Sequence, residues 1–112
     1  MSKFNTAKQY LDSIPKQTKP FINNIIKYVK RKYPSSELIL NYQILAFKLN
    51  KNRCYLAGYE KHIALYPIPK GDKEFNKSIK PYVSGKSTLK FDISQEIPYD
   101  LIYQIVERHL EK

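Results

Sequence analysis

The sequence predicts an α+β domain, with one antiparallel sheet of about five strands and helices packed on one of its faces. Apolar residues recur at helical spacing near both ends of the chain, as Ile22, Ile25, Ile26 and Val29 and again as Leu101, Ile102, Ile105 and Val106. Between residues 36 and 67 the period falls to two. The breaks inside that stretch are only a few residues long, which joins antiparallel neighbours and is too short for a parallel crossover.

The first helix is expected from about Thr6 to Ile14, with Asn5 or Thr6 as cap and Ala7, Tyr10, Leu11 and Ile14 on one face. Pro15 ends it. A second helix runs from about Lys19 to Tyr33. Thr18 is its expected N-cap, and Pro20 is tolerated in the first turn because its missing N–H has no partner there anyway. Lys30, Arg31 and Lys32 complement the dipole at its end, and Pro34 closes it. "SELILNY" (36–42), "ILAFKL" (44–49), "RCYLAGY" (53–59) and "HIALYP" (62–67) then read as strands. "GDKEFNKSIKPYV" (71–83) reads as a short helix capped by Asp72, with Phe75 and Ile79 facing inward. "STLKFDI" (87–93) alternates as a fifth strand. "PYDLIYQIVERHLEK" (98–112) is the clearest helix, with proline at its start and a wide apolar stripe that includes His109 and Leu110.

The 112 residues make one domain, 1–112, large enough to fold on its own core. Ten tyrosines and no tryptophan supply many rings with a polar tip, suited to the rim of a core or the lining of a groove. Cys54, the single cysteine, can form no internal disulfide; it reads as a small buried hydrophobe in a strand. No apolar leader stretch and no membrane-length apolar window is present, so the expectation is a cytoplasmic protein with no membrane partner. The formal charge is +10. Residues 1–91 carry 18 Lys and Arg against five acids, whereas residues 92–112 carry two bases against five acids. A basic body therefore precedes an acidic C-terminal element, and the excess bears on anionic partners rather than on fold.

Catalytic inventory is thin. No pair of cysteines or histidines has metal-ligand spacing. "SGKST" (84–88) resembles the tail of a phosphate-binding loop, but Lys80 stands where such a loop needs glycine and a strand follows where it needs a helix. No nucleophile–base pair can be named, and the protein is expected not to be an enzyme. His109 lies on the apolar side of the last helix near its C-terminus, where it reads as a packed residue favourable to the dipole. His62 shares a strand face with Ala64 and Tyr66. It reads either as a cleft-lining ligand residue or as a hydrogen-bonded histidine at the rim of the core. Lys27, Lys30 and Arg31 on one helix, with Lys48, Lys51 and Arg53 around a hairpin, could neutralise phosphates, although no recognised nucleic-acid module is present. Asp100, Gln104, Glu107 and Glu111 share a face of the last helix. They read either as a weak cation site or as the solvated side of an amphipathic helix.

"YQILAF" (42–47), "KHIALYP" (61–67), "YVSGKSTLKFDISQEIP" (82–98) and the following "YDLIYQIV" together resemble the YdhG-like family, small bacterial proteins filed as a domain of unknown function. The resemblance spans nearly the whole chain, and it implies the same α+β fold. In that family the first segment commonly carries proline where Leu45 stands here. Tyr42, Phe47, His62, Tyr66, Gly85 and Lys86 match family positions. With Tyr59 they suggest a ligand pocket over the sheet, lined by Tyr42, Phe47, Tyr59, His62, Tyr66 and Lys86. Some members are described as frataxin-like intracellular iron chaperones. The resemblance thus implies iron as a possible cargo and iron–sulfur assembly proteins as possible partners; the acidic face of the last helix would then offer Asp100, Glu107 and Glu111 as ligands. The leading expectation is a small binding protein for an anionic ligand or iron; the alternative is a nucleic-acid or other polyanion binder using the basic surface of residues 1–91.

Overall fold

A computed structural model describes residues 3–112. Its elements follow in the order α1 (Ala7–Ser13), α2 (Lys19–Lys32), β1 (Glu37–Asn41), β2 (Ile44–Leu49), β3 (Asn52–Gly58), β4 (His62–Tyr66), α3 (Lys73–Ile79), a 3-10 turn (Lys80–Tyr82), β5 (Val83–Ser84), β6 (Thr88–Asp92) and α4 (Tyr99–Leu110). The strands form one antiparallel sheet in the order β1-β2-β3-β4-β6-β5. Six strands stand where the sequence suggests about five. The addition, β5, is two residues long, too short to show alternation, and lies at the end of the segment assigned to a helix over 71–83. Pro81 helps stop that helix, and Gly85 at φ 75 turns the chain back into β6.

The register sorts the strands' side chains onto two unlike faces. On one, Leu45, Leu56, Leu65 and Leu89 lie side by side across four strands, flanked by the pairs Phe47–Cys54 and Ile63–Phe91. All are buried, and they form one core with Ile22, Ile25 and Val29 of α2 and Ile102, Ile105 and Val106 of α4. Gly58 permits the close approach of the N-terminal helices, since a Cβ there would sit 3.0 Å from Ile14 Cγ2 and 3.2 Å from Ile22 Cγ1. The helices' buried apolar side chains all join this core. The opposite face is left open and carries Ile39, Ala46, Tyr55 and Tyr66 in one row, Ala57, Ala64 and Lys90 in the next, and His62 with Asp92 beyond.

Local chemistry departs from expectation at two positions. Thr18 does not cap α2: its backbone is already helical, and its fully buried hydroxyl donates to the Tyr59 carbonyl at 2.5 Å, tying the helix start to the β3–β4 turn. His109 is not an exposed cation at the end of α4. It is 1% exposed, its Nε2–H donates to the Pro67 carbonyl at 2.6 Å, and burial lowers its pKa, which favours the neutral ring. By contrast Thr6 caps α1 by accepting from the Gln9 N–H, and Asp72 caps α3 by accepting from the Phe75 N–H at 2.9 Å. Asp72→Ala is expected to lower the unfolding free energy by about 0.5–2 kcal/mol in urea melts, because the donor it satisfies is left without that partner.

Among the described residues, no helix is long and apolar enough to cross a membrane.

Candidate functional site

The open face of the sheet carries a continuous run of aromatic rings. Tyr42, in the β1–β2 turn and 82% exposed, lies 5.8 Å from Tyr55 on β3, centroid to centroid. Tyr55 pairs across the sheet with Tyr66 on β4. The Tyr66 hydroxyl is 3.4 Å from that of Tyr59, and the Tyr59 ring is 4.8 Å from the His62 imidazole. Five rings thus follow one another from the edge hairpin to the fourth strand. Ala46, Ala57 and Ala64, all buried, form the floor beneath them, and their small side chains leave the rings standing above it. One backbone and one side-chain hydrogen bond hold the run in place. Tyr59 N–H donates to the His62 carbonyl at 2.8 Å, and the Tyr55 hydroxyl donates to Asn41 Oδ1 at 3.0 Å.

His62 stands at one end of this run, in a cleft of about 450 Å³ lined by Tyr59, Glu60, Lys61, His62, Lys90 and Asp92. Partial burial, and then the Lys90 ammonium, lower its pKa, while Asp92 pulls the other way. Asp92 is itself held below the ordinary carboxylate range, first by the Ser94 N–H, which donates to it at 2.8 Å. The shift favours the neutral imidazole, which can both donate and accept. Tyr66 is shifted upward, by burial first and by its Tyr59 contact second, and stays a neutral phenol. The His62 ring is expected to titrate below pH 6.5 when followed by NMR. Lys90→Gln should move that midpoint upward, because it removes the repelling ammonium and leaves Asp92 in place.

The ligand residues suggested by sequence do not share one surface. Tyr42, Tyr59, His62 and Tyr66 come together on the open face. Phe47 does not: it is 2% exposed and points into the core beside Cys54, because it lies an odd number of residues from Ala46 and Lys48 along β2. Lys86 sits in the β5–β6 turn. Six residue steps along β6 and its approach separate it from Asp92, the cross-strand partner of His62, about 20 Å at strand rise. Lys90 takes the place beside His62 that Lys86 was expected to fill. Tyr55, Lys90, Asp92 and Asn41 were not singled out by sequence. A hairpin centred on Glu60 and Lys61 would have placed Tyr55 opposite Tyr66. Lys90 and Asp92 reach the site through a non-sequential pairing of β4 with β6, which no local pattern reveals.

Asp100, Glu107 and Glu111 do not assemble a cation site. Glu107 accepts hydrogen bonds from the Tyr28 hydroxyl and from Lys32 Nζ, the latter at 2.6 Å, and Glu111 accepts one from the Tyr33 hydroxyl. Burial works against the Glu107 carboxylate, yet the Lys32 and Tyr28 hydrogen bonds hold its pKa below the usual range. These acids join α4 to α2, where Tyr28 and Tyr103 stack at 3.7 Å. Asp100 is two turns away at the helix start. Among the described residues no three His, Cys, Asp or Glu side chains gather as metal ligands. The donor set therefore does not fit iron. Cys54 is fully buried, and burial pushes its thiol up to about 12, consistent with a packing role.

The basic residues divide between the two layers. Lys27, Lys30 and Arg31 lie on α2, whereas Lys48 and Arg53 are cross-strand partners on the open sheet face, with Lys51 in the turn between β2 and β3. They form two separate sets, and the second borders the aromatic run.

Comparison with solved structures finds a crystal structure of a DUF1801-family protein, YdhG, from Bacillus subtilis. The match has a TM-score of 0.75 at 16% sequence identity and covers 89% of this chain and 84% of that one. The chain thus has a YdhG-like fold. No family model matches the sequence, and no curated protein matches it significantly.

Proposed function

We propose that this protein is a non-enzymatic binding module whose open sheet face receives an extended anionic ligand bearing flat rings, single-stranded nucleic acid being the class that fits. The run of five rings from Tyr42 to His62 carries the reading. Each base of a single strand can lie on a tyrosine face while its phosphates reach lysine and arginine at the margins, which is how sequence-tolerant single-strand binders work. Lys48 and Arg53 at one end of the face and Lys90 at the other supply those cations. Among the described residues, no group on this face is placed as a nucleophile beside a base, which favours binding over chemistry. The iron reading implied by family resemblance is weaker here, since two of its three carboxylates already serve Tyr28, Lys32 and Tyr33.

Fluorescence anisotropy with a labelled single-stranded oligonucleotide, its duplex and a mononucleotide tests the proposal. Single-strand affinity is expected to fall with salt at a logarithmic slope of about −2, from three phosphate contacts at ~0.7 each. Duplex should bind more weakly, because its bases are already stacked on one another. Absence of single-strand binding even at low salt would remove the reading. Tight binding of the mononucleotide alone would instead assign the His62 cleft to a small anionic ligand.

A further inference from the structure

We infer that β1 is a self-complementary edge through which two copies of the chain join into one continuous sheet. β1 is an outer strand of the sheet, and its register with β2 is unbroken over five pairs. Among the described residues its outward backbone groups have no hydrogen-bond partner from another segment. Natural edges are usually guarded by a bulge, a proline or a lysine on the strand. "ELILN" has none of these: Pro34 lies ahead of it, and Leu38, Ile39 and Leu40 are only partly buried.

The choice of a second copy as occupant follows from the strand read against itself. An antiparallel pairing centred on Ile39 places Ile39 opposite Ile39 of the second copy, Leu38 opposite Leu40, and Glu37 opposite Asn41. Each pair is compatible. Leu38 and Leu40 lie on the core side of the sheet, where partly exposed apolar surface from the two copies would merge. Asn41 uses its Oδ1 to accept from Tyr55, which leaves its Nδ2 to donate. Glu37 is exposed and has no ion pair among the described residues, so its carboxylate is available as acceptor. Both ends of the pairing repeat that contact, as a two-fold interface requires. Antiparallel edge pairing also keeps like faces on one side. The two aromatic runs would then lie on the same side of a twelve-stranded sheet.

Sedimentation velocity from low to high micromolar protein, combined with hydrogen exchange at the same concentrations, tests this. The expected result is a shift from one chain to two as concentration rises, with amide protection rising at residues 38–40. Ile39→Lys, which sets two ammonium groups against each other on the open face, should weaken association at least tenfold. Ile39→Val should leave it intact, and circular dichroism should show both variants folded. The inference is overturned if the wild-type chain stays single at every concentration, if protection rises elsewhere, or if Ile39→Lys associates as the wild type does. Should the lysine variant fail to fold, the wild-type exchange pattern decides alone.

Discussion

Ile105→Ala is expected to lower the free energy of unfolding by about 2–5 kcal/mol. Ile105 is fully buried in the middle of α4, between Ile102 and Val106, where that helix meets the sheet. Truncation removes three carbons from a site enclosed by α2, α4 and the leucine row of the sheet. A helix held on both sides cannot collapse into the space, so the cavity remains. Urea denaturation followed by far-ultraviolet circular dichroism measures the effect, and the slope with denaturant should stay unchanged. A change within ~0.5 kcal/mol, as at an ordinary surface site, would show that α4 does not dock through this stripe. The surrounding Tyr28–Glu107–Lys32 contacts are exposed enough that they could not compensate for such a loss.

The double substitution Tyr42→Ala with Tyr59→Ala is expected to weaken single-strand binding about thirtyfold or more, from ~1–3 kcal/mol per stacked base. Both rings are exposed, 82% and 40%, so the fold should be unaffected and the loss can be read as lost stacking. The salt dependence should persist, because Lys48, Arg53 and Lys90 remain. That pairing of results separates the aromatic face from a general attraction to a +10 surface. If affinity is unchanged and only salt matters, the contact lies elsewhere, with the lysines of α2 as the first place to look.

Most helices and strands were legible because their periods are local properties. The α2 and α4 stripes recur every three to four residues, and the strand-like segments 44–49 and 53–59 are separated by a three-residue break. What stayed hidden depends on register and crossover. Whether Phe47 lines a pocket or the core turns on a single step of alternation, which β2 alone leaves ambiguous: it is apolar on both faces, with Ala46 and Phe47 both buried. The acids of α4 show the same limit. Their helical spacing is plain in sequence, but only the packing of α2 against α4 brings Tyr28, Lys32 and Tyr33 to them.

Sequence by itself determined that the chain builds an antiparallel sheet with helices on one side, because hydrophobic period follows from backbone geometry residue by residue. It also determined that His62, Ala64 and Tyr66 point the same way, since successive strand side chains alternate. Only the tertiary structure decided that this direction is the open face, that Tyr55 and Tyr42 extend it into a run of rings, and that Lys90 rather than Lys86 stands beside His62. Those neighbours come from β3 and from β6, and cross-strand contacts are set by which strands pair and in what register. In β6 the partner is separated from β4 by α3 and β5, and the pairing is chosen by burying Leu89 and Phe91 beside Leu65 and Ile63. The core selects the register, and the register in turn places Lys90 and Asp92 on the other side.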